Sequence, residues 1–357
     1  MSWKKVRLED ISKISKGKKH DEVPLCEGAT RYIQIEDLHG GDNQRYTNQS
    51  GVTVSIDDII IAWDGANAGK VGTGLVGTLG STIARIRFTN SNIHTKYIYW
   101  HLNSKFEQIK RQRIGATIPH VNGVALKNIE IPIPPLSVQR QVADIIDHAN
   151  ALHQKDQELL QKYKELSQSI FFEMFGDPIK NDKGWHVTQL GELVTNRDSL
   201  RVPIKDVDRK LRQGEFPYYG ATGQIDCIDN YIFNGKFLLV SEDGKNLLLG
   251  KRKNAFRVSG KFWVNNHAHV LEYNGKLELT YLEYFLNNIE LKPYITGIDQ
   301  FKLNRNNMDR IPVCVPAVKI QKKFTDIIDN IERQKLELSH GIKQSETLFK
   351  NLLSIYM

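Results

Sequence analysis

Apolar residues recur by threes and fours over two long stretches of the chain, and each stretch follows a proline. In the first, Val142, Ile145, Ala149, Leu152, Asp156, Leu159, Tyr163, Leu166, Ile170 and Glu173 keep the period, and eight of the ten are apolar. In the second, Phe324, Ile327, Ile331, Gln334, Leu338, Gly341, Ser345, Leu348, Leu352 and Ile355 keep it, with seven of ten apolar. A three-four period sustained this far is a coiled-coil seam. A helix lying on its own domain needs a wider stripe and usually fewer residues. Pro134-Pro135 and Pro316 suit the start of a helix, and Gly176-Asp177-Pro178 suits the end of the first. About 40 residues at 1.5 Å each give a rod of roughly 60 Å.

Short apolar runs lie outside these helices. Ile59-Ile60-Ile61-Ala62 follows an Asp57-Asp58 turn and ends at Trp63-Asp64-Gly65; Phe237-Leu238-Leu239-Val240 ends at Glu242-Asp243-Gly244. Both read as buried strands, with further strands at residues 83–88 and 269–273.

The chain also repeats itself, 182 positions downstream. Trp3 to Leu8 answers Trp185 to Leu190, Gly115 answers Gly297, and Asn122 answers Asn304. IEIPIPPLSVQRQVADIID (residues 129–147) against IPVCVPAVKIQKKFTDIID (residues 311–329) shares seven of nineteen residues, where about one is expected from average usage. After a small indel, YIYWHLN (residues 97–103) matches YLEYFLN (residues 281–287). Residues 15–95 and 197–275 share almost nothing, so the ends of the halves are alike and their centres differ.

Chain order turns this into an architecture. If the second helix packs antiparallel on the first, both seams are buried and the two domains lie at opposite ends, related by an approximate two-fold. The expected fold is α+β: two tandem mixed α/β recognition domains (residues 1–134 and 177–315), joined and followed by helices (135–176 and 316–357) in an antiparallel coiled coil. Ala317 stands where Pro135 stood and Cys314 where Pro132 stood, which leaves the second helix start open.

Composition adds a partner class. A net charge of +8 suits a polyanion. Half one carries Lys13, Lys16, Lys18, Lys19, Arg85, Arg87, Lys105, Lys110, Arg111 and Arg113. Half two carries Arg197, Arg201, Lys205, Arg209, Lys210, Arg212, Lys245, Lys251, Arg252, Lys253 and Arg257. Such residues contact phosphates, while amides, hydroxyls and Arg forks read bases. Taken singly, each cluster is more often a solvated face. Cys26, Cys227 and Cys314 are odd in number and far apart, against a disulfide framework or Cys-rich zinc site and in keeping with a reducing cytoplasm. No stretch has the apolar length that spans a bilayer, and MSWKKVRLED shows no secretory core.

Catalytic motifs are mostly missing. Gly65-Ala66-Asn67-Ala68-Gly69-Lys70 is one residue short of a phosphate loop and Val71 replaces the magnesium-binding hydroxyl, so it reads as a turn. Asp243-Gly244-Lys245, with Asp226 or Asp229, fits half of a nuclease metal site, though Asp-Gly after a strand is simply a turn. His267 and His269 share a strand side but lack a third metal ligand. Pro134-Pro135-Leu136 lacks the flanking residues of an amino-methyltransferase motif. Two alternatives stay open from the residues alone: a self-contained nuclease using Asp243 and Lys245, and a coiled-coil scaffold without DNA contact.

The tandem halves, the repeated block, and FEMFGDP (residues 172–178) leading to Gly184-Trp185 together resemble the specificity subunit of type I restriction-modification enzymes. FPYYGATG (residues 216–223) and FWVNNHAH (residues 262–269) look typical of one class of its recognition domains. The likeness covers nearly the whole chain. It implies a DNA-binding subunit without catalytic or metal residues, reading a bipartite, non-palindromic site in double-stranded DNA. It implies two methyltransferase subunits docked on the helices, binding S-adenosylmethionine, and an ATP- and magnesium-dependent restriction subunit as a further partner. By this analogy the contacts in domain one are Lys18, Lys19, Asn67, Lys70, Ser81 and Thr82, with Gly115, Ala116 and Thr117 on the backbone. In domain two they are Tyr218, Tyr219, Ala221, Thr222, Lys245, Asn246, Asn265 and His267, with Gly297 to Gln300 (Gly297, Ile298, Asp299, Gln300) on the backbone.

Overall fold

The structure, a computed structural model, describes residues 3–39, 44–249, 252–298 and 300–356. Lys251, Asp299 and the side chain of Ile355 lie outside the described residues. The chain forms two compact units: Met1–Gln157 with His340–Met357, and Glu158–Ser339.

In the first unit, the strand Ile59–Ala62 sits inside an antiparallel sheet between Ile83–Phe88 and Val71–Thr73, with Ser12–Lys16 on the far side of Ile83–Phe88. It is buried on both faces, as its unbroken apolar run requires. Ile59 and Ile61 join Tyr97, Trp100, Val142 and Ile146 in one core, and Ile60 joins Ile33, Val54, Leu79 and Ile83 in another. A second four-stranded sheet contains Tyr46–Thr47, Thr30–Ile33, Gly77–Leu79 and Thr53–Val54.

The second unit has one six-stranded sheet, in the order Val194–Asn196, Ala268–Tyr273, Phe233–Ser241, Ala255–Val264, Phe216–Gly220, Gly223–Ile228. Leu238 and Val240 point to a core with Phe171, Phe175, Tyr281, Phe285 and Phe324, while Phe237 and Leu239 point to one with Phe233 and Phe262. The centres therefore differ in topology as well as sequence.

The repeated residues do the same work in both units. Lys5–Arg7 pairs antiparallel with Glu130–Pro132, and His186–Gln189 pairs with Pro312–Val315. The hydroxyl of Tyr97 donates to the Pro132 carbonyl at 2.9 Å, and that of Tyr281 to the Cys314 carbonyl at 2.6 Å. The tyrosine bond uses only the backbone carbonyl at that position, so cysteine can replace proline there, and the Cys314 thiol adds a contact of 3.8 Å to the Pro178 carbonyl.

The long helices run Leu136–Phe175 and Val318–Tyr356. The starts are again 182 apart, because the Ala317 carbonyl accepts from Ile320 and Gln321 just as the Pro135 carbonyl accepts from Val138 and Gln139. Gly176, at φ +76°, ends the first. Gln139 and Gln321 are wholly buried and lock each helix start to its domain. Gln139 Oε1 accepts from His94 N at 2.9 Å, and its Nε2 donates to the Asn92 and Pro134 carbonyls. Gln321 accepts from Glu278 N and donates to the Pro316 carbonyl. Gln139→Leu removes the partner of three backbone groups, of which the Pro134 carbonyl is buried, and should cost about 1–3 kcal/mol, the penalty of leaving a buried group unpaired. A chemical-denaturation midpoint unchanged from wild type would refute this.

Within each unit the two helices run antiparallel. In the first, His153 faces Glu346 at 3.8 Å, and Phe349 meets Trp100, which bonds Asp147. In the second, Phe324 near the start of one helix packs on Phe171 and Phe175 at the end of the other. The expected seam needs a correction. Of its two rows, that of Val142, Ala149, Asp156, Tyr163 and Ile170 is turned inward, and the other is not. Ile145, Leu152, Leu159 and Leu166 are between 41% and 54% exposed. Their inward place is taken by Ile146, His153, Leu160, Ser167 and Met174. A stripe of leucine and isoleucine at seven-residue spacing is left facing solvent.

Candidate nucleic-acid interface

Each unit carries the same structural device at the end of its core strand. In the first, Ile59–Ala62 runs into Trp63, Asp64 and Gly65. Trp63 N and Asp64 N both donate to the Thr82 carbonyl, and Gly65 N donates to the Pro119 carbonyl at 2.8 Å. Pro119 belongs to a tight hairpin in which Ile114 and His120 exchange backbone bonds of 3.0 and 2.7 Å. In the second, Phe233–Ser241 runs into Glu242, Asp243 and Gly244. Gly244 N donates to the Phe301 carbonyl at 3.0 Å, within a hairpin in which Thr296 and Lys302 exchange bonds of 2.8 Å. Both hairpins turn on a glycine that needs positive φ: Gly115 at +90° and Gly297 at +91°. A Cβ at Gly115 would lie 2.6 Å from the Ile118 carbonyl oxygen, and one at Gly297 would overlap that of Gln300. Only glycine fits either place.

The aspartate of each turn holds an imidazole. Asp64 Oδ1 lies 2.6 Å from His120 Nδ1, on the hairpin, and its Oδ2 lies 2.8 Å from Lys16 Nζ. Burial pushes the Asp64 carboxyl up, but the Lys16 and His120 bonds and charges outweigh it and hold it below the usual carboxylate range. Asp243 Oδ2 lies 2.6 Å from His267 Nδ1, which comes instead from the neighbouring strand turn. Two unrelated histidines thus fill one role.

Most of the expected contacts converge on these clamps. In the first unit Lys18 N donates to the Leu79 carbonyl, Thr82 receives the turn, and the Asn67 carbonyl accepts from Lys70 N. Lys18 and Lys19 are exposed, Ser81, Thr82, Asn67 and Lys70 are half-buried, and Gly115, Ala116 and Thr117 form the exposed hairpin apex. The Gly65–Lys70 segment is a turn, as its short spacing indicated, with Ala68 N donating to the Gly65 carbonyl at 3.0 Å.

In the second unit the Ala221 carbonyl accepts from Ser241 Oγ at 2.5 Å, and Thr222 Oγ1 accepts from Arg252 at 3.3 Å. Lys245 and Gln300 are exposed. Asn246 braces its loop by bonding the Arg252 backbone on both sides. Asn265, 6% exposed, accepts from His267 N and so sets the turn that aims His267 outward. Tyr219 stands half-buried against Phe256 and Phe262. Tyr218 is a correction: it is wholly buried, its hydroxyl accepts from Ile204 N at 3.1 Å, and Arg209 stacks over its ring. Its side chain supports the strand and presents no surface.

Many of the basic residues are held by partners within the chain. Arg87 grips Asp58 through two bonds, of 2.8 and 2.6 Å. Arg113 is spent on the Ala66 and Ala68 carbonyls. Arg197, Arg201, Arg209 and Arg212 pair with Glu272, Glu242, Asp226 and Asp229, and Arg257 bridges Glu283 and Asp329. Among the described residues Lys13, Lys18, Lys19, Lys105, Arg111, Lys205 and Lys245 have no carboxylate partner.

The carboxylates proposed for a nuclease are equally committed: Asp243 to His267, Asp226 to Arg209, Asp229 to Arg212. The one His/Asp/Glu group spaced for a metal among the described residues is Asp198, Glu242 and His269, without Asp243. Arg201 and Lys302 already neutralise its carboxylates, and the His269 ring joins Asp198 to the Leu303 carbonyl. That group reads as a structural ion cluster. Sequence reasoning missed the clamp residues Asp64 and His120; the recurrent Asp-Gly after each core strand was the available signal.

Residues 1–162 and 182–345 match the family model described as the type I restriction modification DNA specificity domain. The chain is 32% identical over 249 residues to the type I restriction enzyme MjaVIII specificity subunit of Methanocaldococcus jannaschii, covering 66% of this chain and 56% of that protein. It is 32% identical over 140 residues to the putative specificity subunit S.HindORF215P of Haemophilus influenzae, covering 39% of this chain and 35% of that one. The chain thus spans about half or less of these two relatives' length. In fold it is similar to the S subunit of a type I restriction-modification system from M. genitalium, at a TM-score of 0.71 and 18% identity, over 99% of this chain and 95% of that one.

Proposed function

Because this chain belongs to the type I restriction modification DNA specificity domain family, we propose that it is the DNA sequence-specificity subunit of a type I restriction-modification complex. Its recognition domains are residues 1–134 and 177–315, and residues 135–176 and 316–357 are its spacer helices. The observation that carries this is the repeated clamp, one backbone device offering two differently built loop surfaces. Two dissimilar readers on a duplicated scaffold suit a split, non-palindromic site. Exposed lysines supply phosphate affinity and the loop amides and hydroxyls supply base contacts.

The chain itself is non-catalytic in this reading. Methyltransferase subunits bring S-adenosylmethionine, and a restriction subunit brings ATP and magnesium chemistry. No helix among the described residues is long and apolar enough to cross a membrane, and a cytoplasmic complex is the setting proposed. The purified chain should methylate and cut nothing. Mixed with a cognate methyltransferase it should confer adenine methylation at one bipartite motif, mapped by sequencing modified bases with and without it. Magnesium-dependent cleavage by the chain alone, lost in Asp243→Ala, would overturn the proposal.

A further inference from the structure

The hairpin of the second unit ends in an aliphatic point. Ile298 is 90% exposed, the most exposed large apolar side chain among the described residues. Single exposed apolar residues are ordinary on a surface, but this one stands on a hairpin whose base is closed by hydrogen bonds. Thr296 and Lys302 close the hairpin through two backbone bonds and a third from Thr296 Oγ1 at 3.1 Å. Gly244 N ties it to the clamp turn, and Leu303 N donates to the Glu242 carbonyl at 2.7 Å. Gly297 fixes the apex, and isoleucine is stiff about its first side-chain torsion. In the first unit the equivalent hairpin carries Ile118, 56% exposed, beside Gly115, Ala116 and Thr117. The two isoleucines lie at different offsets within the apex, so the feature is not a simple remnant of duplication.

An aliphatic tip has no hydrogen bond to offer a base edge. What it offers is shape and a dry surface, the properties by which apolar side chains enter and kink a base stack. Resting on the specificity reading above, we propose that Ile298 and Ile118 are wedges, each pressed between two base pairs of duplex DNA at its own half-site. Unstacking at a chosen step then adds selection through deformability at positions the polar loops do not touch.

The test uses the full chain and duplexes carrying the mapped motif, with 2-aminopurine placed in turn at each step. Binding should raise the fluorescence about threefold or more at one step per half-site, as unstacking does. Ile298→Ala should abolish the rise at one half-site and Ile118→Ala at the other, each weakening binding about tenfold with the salt slope unchanged. Bound duplex with no rise at any step, or variants that keep both rises, would overturn the wedge and leave the specificity reading intact. So would variants that lose only methyltransferase binding, which would make the tips protein contacts. A chain that does not prefer the motif duplex over a scrambled one removes the specificity reading and the wedge together.

Discussion

On the function proposed above, lysine at Leu152 and Leu159 is expected to leave the chain folded and to abolish the proposed assembly with methyltransferase subunits. Both side chains already face solvent, at 54% and 41% exposure, so the isolated chain should change stability by no more than about 0.5 kcal/mol. A partner seated on Leu152, or one seated on Leu159, would bury that side chain. An unpaired ammonium forced into such a contact costs about 2 kcal/mol or more, which is roughly 30-fold in affinity per site. Duplex binding by the chain alone should be untouched. Co-sedimentation with the methyltransferase checks the first claim and a salt-titrated DNA-binding assay checks the second. Assembly at wild-type affinity would remove the stripe from the docking surface.

That stripe also shows where sequence reading stopped. The heptad pattern located both helices, and proline and glycine placed the start and end of the first through local backbone sterics, while Ala317 in place of Pro135 left the start of the second open. It could not tell which apolar row turns inward. The row that does includes His153 and Ser167, whose polarity hides it, and the outward row is the more apolar one. On the proposed docking role, partner chains shape that second choice, and a lone sequence does not carry them.

The same limit governs the charges. Gln139 and Gln321, or Tyr97 and Tyr281, were visible as repeats because both copies use them against backbone groups close in fold position. Arg87 with Asp58 and Arg257 with Glu283 were not, since each arginine's partner lies 29 and 26 residues away. A basic residue looks the same in sequence whether it is free for phosphate or spent on a carboxylate. The converging loops were legible mainly through resemblance, and burial then separated Tyr218 from its neighbours.

The first unit should lose stability steadily as the pH falls from about 6.5 to about 4, and His101 is the main cause. The ring is 1% exposed, with Nε2 3.1 Å from the Glu130 carbonyl and Nδ1 buried without a partner. Burial first, then the Lys105 charge, push its pKa from 6.5 to about 4, against the small upward pull of the Glu130 carbonyl. A histidine depressed in the folded state binds its proton more readily when unfolded, so stability is fully present above the unfolded pKa and declines through the interval. At 1.36 kcal/mol per unit, the loss is roughly 3 kcal/mol. His94, pushed down by burial and by Arg140, acts in the same direction. Asp58 and Asp64, held below 3.8, titrate under this window and do not compete with it. The second copy places Phe285 at the equivalent of His101, which makes His101→Phe the natural test. Hydrogen exchange at the amides of the Thr95–Ser104 helix reads this unit alone. The variant should protect those amides no better than wild type at pH 7.5 but better at pH 4.5, and parallel profiles at both pH values would clear His101 of the effect.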